Sequence, residues 1–162
     1  DPNDLRALFS QWDPKLRAIL DSVSETFMWG IFDRVPLERW SVGRVTLLGD
    51  ACHAMQPHMA QGAAQALEDG ATLVGCLQTK ADIPAALARY QDLRLPRTAH
   101  VQSLAAGNKI RFSLPDGPEQ EARDAKMAAG GTDWSLDTIG WLYGHDAYAA
   151  AESGNLGLPP GT

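Results

Sequence analysis

The residues with the most chemical reach lie close together between Arg44 and Gly70: Gly49-Asp50, Cys52-His53, Pro57-His58, Gln61-Gly62-Ala63-Ala64 and Glu68-Asp69. An ionised carboxylate only accepts hydrogen bonds, so Asp50 suits a ligand rich in hydroxyl donors. Gly49 leaves no side chain between such a ligand and the backbone. Gln61 to Ala64 opens an alanine-rich helix, whose first N–H groups lack internal partners and sit at the positive end of the helix dipole. Together the two features fit a polyhydroxylated, electron-rich ligand. Taken singly, Asp50 could equally cap a turn, and the small residues could simply allow tight helix packing.

Two histidines flank Pro57. An imidazole titrates near working pH, and His58 is the candidate to reach a substrate proton. His53 is expected to hold the loop by hydrogen bonds, and Glu68-Asp69 to satisfy helix and loop partners without doing chemistry. Asp50, Cys52, His53 and His58 could all ligate a metal. Their spacing matches neither the paired Cys/His knuckles of structural zinc nor the i, i+4 histidines of a metalloprotease helix, so no metal is expected. Cys52 reads as a small buried filler.

The elements that must position these residues follow from pattern. Val45 to Leu48 reads as a short buried strand ending at Gly49-Asp50, and Thr26 to Phe32 as another strand. Trp40 is a packing anchor between them. Asn3 is expected to cap a first helix, and Asp13-Pro14 to start a second through Leu20. Ala63, Ala66, Leu67, Gly70, Ala71, Val74 and Leu77 recur at helical spacing, with Gln65, Glu68 and Thr72 on the opposite face. Asp82 caps the next helix, whose stripe is Ile83, Leu87, Tyr90 and Leu93. Pro96 should kink or end it, and Val101 and Leu104 suggest that it resumes. Later helices are expected over Glu119 to Ala129, Trp134 to Tyr143 and Asp146 to Ala151, with breaks at Pro115 to Pro118 and Gly130 to Asp133. The Gly/Pro-rich end from Gly154 should fray.

At 162 residues the chain is long enough for a real core, and its 44% hydrophobic and 21% charged composition is that of a globular protein. A net charge of −6 argues against general binding to nucleic acid or to an anionic membrane. No apolar run approaches the ~20 residues that span a bilayer. With two cysteines and no visible leader, a cytoplasmic setting is expected. Six basic residues against two acids between Lys80 and Arg111 suggest a solvated helix face or, less simply, a docking face.

The order Gly49-Asp50-Ala-x-His53, Pro57, Gly62, Glu68-Asp69 resembles the second flavin-contacting motif of the FAD-dependent aromatic hydroxylases, the group A flavoprotein monooxygenases. Phe32 to Trp40 is similar to that family's approach strand and turn. Tyr90 to His100 is similar to its YxxxRxPR helix. Phe112 to Pro118 and Trp141 to Asp146 resemble the C-terminal segments of salicylate- and 3-hydroxybenzoate-type members. None of the 15 glycines forms the GxGxxG unit that seats the ADP half of FAD. The resemblance therefore implies the C-terminal part of such an enzyme, helix-rich α+β with a few strands followed by several helices. Residues 1–43 would end the substrate-binding region, 44–112 would carry the flavin motif and long helices, and 113–162 would form a C-terminal helical segment.

The resemblance further implies FAD, NADH or NADPH as co-substrate, and hydroxylation of a small aromatic acid through a flavin C4a-hydroperoxide. Asp50 would anchor the ribityl chain, following Gly49. Gln61, Gly62, Ala63 and Ala64 would hold the pyrimidine edge, where a reduced flavin is negative. Pro57, with His58, would face the substrate. Alone, the chain is expected to be inactive, to bind FAD weakly for want of the dinucleotide-binding region, and to self-associate through uncovered apolar surface. Two alternatives stay open: a non-catalytic interaction module that has lost the cofactor, and a family member with another flavin chemistry.

Overall fold

Aspartate and proline together set where three of the described helices begin. In the computed structural model, which describes residues 1–130 and 136–161, α1 (Pro2–Leu8) starts on Asp1, whose side chain accepts from the Asn3 N–H at 2.8 Å. The cap is thus Asp1, with the expected Asn3 inside the first turn, because Pro2 already has a helix-ready φ. Asp13 caps α2 (Pro14–Asp21) as expected. The chain divides into two compact units, Asp1–Ile31 and Phe32–Thr162. In the first, Arg6 clasps the end of α2, donating to the carbonyls of Asp21 and Val23 at 3.2 and 2.8 Å.

The second unit opens with a small hairpin of β1 (Ser41–Val42) and β2 (Val45–Thr46), antiparallel with Ser41 opposite Thr46. The buried strand expected over Val45 to Leu48 forms only in its first two residues and is not buried. Pairing covers two residues, and Val45 is 68% exposed. The expected Thr26 to Phe32 strand is absent, and Met28 is fully exposed. Strand propensity expresses itself only when a neighbouring strand takes up the backbone hydrogen bonds, and among the described residues neither segment finds a wider sheet.

The framework is a helical hairpin, α4 (Gly62–Thr79) and α5 (Ile83–Phe112), with Asp82 accepting from the Ala85 N–H at 3.0 Å. Pro96 neither ends nor divides α5, whose helical assignment runs continuously through it. A mid-helix proline costs about 3 kcal/mol, but residues on both sides of it are buried: Tyr90, Leu93 and Arg94 before, Arg97, Val101 and Ala105 after. One core cluster joins Trp40, Cys52, Cys76, Ala86, Tyr90, Leu93 and Ala151. A second joins Met59, Val101, Ala105 and Leu142. Trp40 and Cys52 are thus the anchor and filler read from the sequence.

The face that α4 buries is the polar one. Gln65, Asp69 and Thr72 are inside with Gly75 and Cys76, while Leu67 is 77% exposed and Val74 and Leu77 point outward. The periodicity located the helix, but the side facing the core is set by two arginines of α5.

Three helices follow: α6 (Pro118–Ala128), α7 (Leu136–Tyr143) and α8 (Ala150–Ser153). Part of the expected glycine break and the start of the Trp134 helix lie outside the described residues. Asp146 to Ala149 form a capped turn before α8, with the Asp146 carboxylate accepting from the Tyr148 and Ala149 N–H groups at 3.1 and 2.9 Å. Gly75 lets α8 lie against α4, since a Cβ there would stand 2.6 Å from that of Ala151. The segment after Gly154 does not fray at Gly157, which is buried and gives its carbonyl to Arg97. No described helix is long and apolar enough to cross a membrane.

Candidate functional site

The hairpin delivers the chain to Gly49, which takes φ +64° and lies directly on α4, where a Cβ would stand 3.4 Å from that of Ala66. The Gly49 carbonyl then accepts from the Cys52 and His53 N–H groups, both at 3.0 Å, winding the short helix α3 (Asp50–His53). Asp50, at the start of α3, is exposed, and its carboxylate has no hydrogen-bond partner among the described residues. His53 points the other way and is fully buried, its Nε2 donating to Asp69 Oδ2 at 2.6 Å.

Asp69 is the hub beneath this turn. Its Oδ2 also accepts from the Gly49 N–H at 2.9 Å, and its Oδ1 accepts from Arg94 Nε at 2.8 Å. Arg94 further donates to Glu68 and to the Gln65 side-chain oxygen, the latter at 2.7 Å. Arg97 donates to both oxygens of Glu68, at 2.7 and 2.8 Å. Beyond Glu68, Arg97 reaches the carbonyls of Leu142 at 2.9 Å and of Gly157, with the Trp141 ring 5.4 Å away. Burial opposes charge on Asp69 and Glu68, yet their partners outweigh it. His53 and Arg94 hold the Asp69 carboxyl below its ordinary range, and Arg97 with Arg94 does the same for Glu68. Burial, with the Asp69 charge nearby, pushes the Cys52 thiol up to about 12.

Part of the basic excess in α5 is therefore internal, matched by the acids of α4. Arg94 and Arg97 were not read as structural from the sequence. Their signal was positional: both fall on the buried register of the Tyr90 and Leu93 stripe.

Pro57 begins a single 3-10 turn, Pro57–Met59, and is exposed, while His58 is half-buried with its ring edge-on to Phe112 at 6.3 Å. Asn108 braces this turn, its Nδ2 donating to the His58 carbonyl at 3.3 Å and contacting Met59 Sδ at 2.8 Å. Gln61 then precedes α4 with no side-chain cap on the helix start. Its side chain is buried, accepting from Gln65 Nε2 at 3.3 Å, so only its backbone faces the helix mouth. Ala63 is exposed, and Gly62 and Ala64 are half-covered. The structure thus keeps Asp50 turned outward and leaves the Gly62–Ala64 N–H groups without a side-chain acceptor among the described residues. A carboxylate without a partner and an uncapped helix mouth fit a ligand with hydroxyls at one end and an electron-rich edge at the other.

Cys52, His53 and Asp69 bring potential ligand atoms within 4.8 Å of one another. Each already has a partner within the protein: Cys52 Sγ donates to the Gly49 carbonyl at 3.3 Å, His53 Nε2 donates to Asp69 Oδ2, and Asp69 Oδ1 accepts from Arg94.

The FAD binding domain family matches residues 11–105. The chain belongs to that family. This FAD-binding-domain chain is 46% identical over 147 residues to 3-amino-4-hydroxybenzoate 2-monooxygenase of Streptomyces cremeus, covering 90% of itself and 36% of that relative. It is 45% identical over 107 residues to 6-hydroxynicotinate 3-monooxygenase of Pseudomonas fluorescens, covering 65% of itself and 28% of the relative. Its fold matches that of salicylate hydroxylase in a substrate complex, with a TM-score of 0.75 and 27% identity over 98% of this chain and 38% of the other. Klebsiella pneumoniae HpxO, complexed with FAD and uric acid, matches with a TM-score of 0.69 and 29% identity, over 86% of this chain and 38% of the other. The chain spans little more than a third of the relatives with which it aligns over most of its own length. The described residues are helix-rich with one small hairpin, and the fold matches FAD-dependent hydroxylases, as the resemblance implied.

Proposed function

We propose that this chain supplies the isoalloxazine-side half of the flavin site in an FAD-dependent aromatic monooxygenase that uses NADH or NADPH and hydroxylates a small aromatic acid. The observation that carries this reading is Asp50, an exposed carboxylate without a partner among the described residues, which follows a glycine packed on an eighteen-residue helix that has no side-chain cap. When bound, the flavin supplies the redox chemistry that activates dioxygen. Asp50 accepts hydrogen bonds from the ribityl hydroxyls, and Gly49 lets the chain come close. The N–H groups of Gly62, Ala63 and Ala64, with the Gln61 backbone, favour negative charge at the pyrimidine edge by ~0.3–2 kcal/mol. Pro57 and His58 face the aromatic ring, with His58 accepting the phenol proton.

Residues 1–43 would complete the substrate-binding region, 44–112 the flavin contacts, and 113–162 the closing helices. The setting is cytoplasmic, and the chain alone is inactive because the ADP half of FAD has no cradle here. Titrating the isolated chain with FAD tests this: binding should be weak, and Asp50→Ala should weaken it further by ~ten-fold. Tight stoichiometric binding overturns the expectation that the chain holds only half of the cofactor site, and indifference to Asp50→Ala overturns the role of Asp50. In the parent protein, NADH or NADPH consumption should be stimulated by salicylate or a hydroxybenzoate and yield a hydroxylated product.

A further inference from the structure

We propose that Asp69 is a positioning residue for the flavin-facing turn, and that its buried carboxylate fixes the Gly49 N–H and so aims Asp50 at the ribityl chain. The inference rests on the flavin reading above. Asp69 is wholly buried and cannot touch a ligand itself. Its two oxygens accept three donors: Gly49 N–H at 2.9 Å, His53 Nε2 at 2.6 Å and Arg94 Nε at 2.8 Å. The oxygen that holds Gly49 is the one that holds His53, and the His53 N–H returns to the Gly49 carbonyl at 3.0 Å. Asp69, Gly49 and His53 thereby close a hydrogen-bonded ring that passes through the residue preceding Asp50.

An ion pair serving stability alone would require Arg94 and Asp69 and nothing more. Here the second oxygen is spent on the turn. His53 is oriented for Asp69 at the cost of its own Nδ1, which is buried without a partner among the described residues. Asp69 stands two helical turns beyond Gly62, roughly 10 Å along α4. Both proposed flavin contacts, the Asp50 turn and the helix mouth, are therefore mounted on one rigid rod. Asp69 is the fastening that sets their separation.

The test is a nuclear magnetic resonance titration of this chain with FMN, which carries the ribityl chain without the adenine half, and with lumiflavin, which has the ring system and no ribityl chain. Wild type should show FMN-dependent shifts at Gly49 and at Gly62 to Ala64. Asp69→Asn should weaken FMN about ten-fold while leaving lumiflavin unchanged. Asp50→Ala should do the same, and the double variant should be no worse than either single one, because both act through one contact. Where Asp69→Asn does not fold, Asp69→Glu keeps the charge against Arg94 while displacing the carboxylate from Gly49, and it should give the same selective loss. Equal weakening of both flavins, additive losses in the double variant, or unchanged FMN binding overturns the positioning role while leaving the flavin reading intact. Absence of FMN shifts at Gly49 and Gly62 to Ala64 in a folded wild type sinks the flavin reading itself, and this inference with it.

Discussion

Gly49 carries two constraints at once: a left-handed φ of +64° and contact with α4 at Ala66. Gly49→Ala should therefore destabilise the protein by about 1–3 kcal/mol, read from the midpoint of chemical denaturation. A change within a few tenths would show that the turn is not held against the helix. Next to it, Cys52 has a thiol pushed up to about 12 and no exposed surface. In the native state it should resist a disulfide reagent at pH 8 and react only on unfolding. Rapid native labelling, assigned by mass to Cys52, would contradict its burial. At this scale much was legible. Asp50 facing outward, His53 bound within the loop and Cys52 as filler all follow from residue type and order. Asp69 was read as a partner to helix and loop, but not as the acceptor for Gly49, since the two are twenty positions apart in the chain.

Among the elements, α4 departs most from its pattern. Apolar periodicity places Leu67, Val74 and Leu77 on one stripe, and the protein buries the other side against Arg94 and Arg97. The apolar pattern of one helix cannot register this, because the choice of face is made by a second helix whose buried positions include two cations. Removing one member leaves an uncompensated buried charge, so Glu68→Gln or Arg97→Leu should cost about 3–5 kcal/mol. Near-normal stability in either variant would mean that the network is dispensable.

The same network sets the response to acid. Glu68 and Asp69 titrate below their ordinary values of 4.5 and 3.8, so their contribution is complete above those values. It is lost as pH falls through the lowered ones. Burial, with Arg97 close by, also holds His145 below its ordinary 6.5, so the unfolded chain takes up that proton first and stability begins to fall below pH 6.5. Denaturation midpoints should decline in two stages, and His145→Gln should abolish only the earlier one. A midpoint constant from pH 7 to 3 would refute both assignments. Pro96 shows the same limit on local reading: its rule was sound, and packing on both sides of it prevailed.

Over the whole molecule, strands were the least legible feature. Thr26 to Phe32 has the composition of a strand, yet Phe27, Met28, Trp29 and Phe32 all lie open to solvent. Pairing partners are non-local, and no single segment reveals whether they exist. This apolar run should drive concentration-dependent self-association, visible by sedimentation velocity, and Trp29→Ser with Phe32→Ser should reduce it. A chain that stays monomeric at millimolar concentration would show that the exposed run is inert. The charge pattern also changes meaning at this scale, since Arg94 and Arg97 in the basic stretch of α5 belong to the interior.

The hold of Arg97 on the carbonyls of Trp141, Leu142 and Gly157 has a practical corollary. Trimming the chain back to Ser153 would strip one acceptor from a guanidinium that also secures Glu68 on α4, so the damage would be felt in mid-chain, far in sequence from the cut. An affinity tag attached after Gly157 spares that clasp, whereas a cleavage site engineered before it would loosen the helix that bears the proposed cofactor contacts.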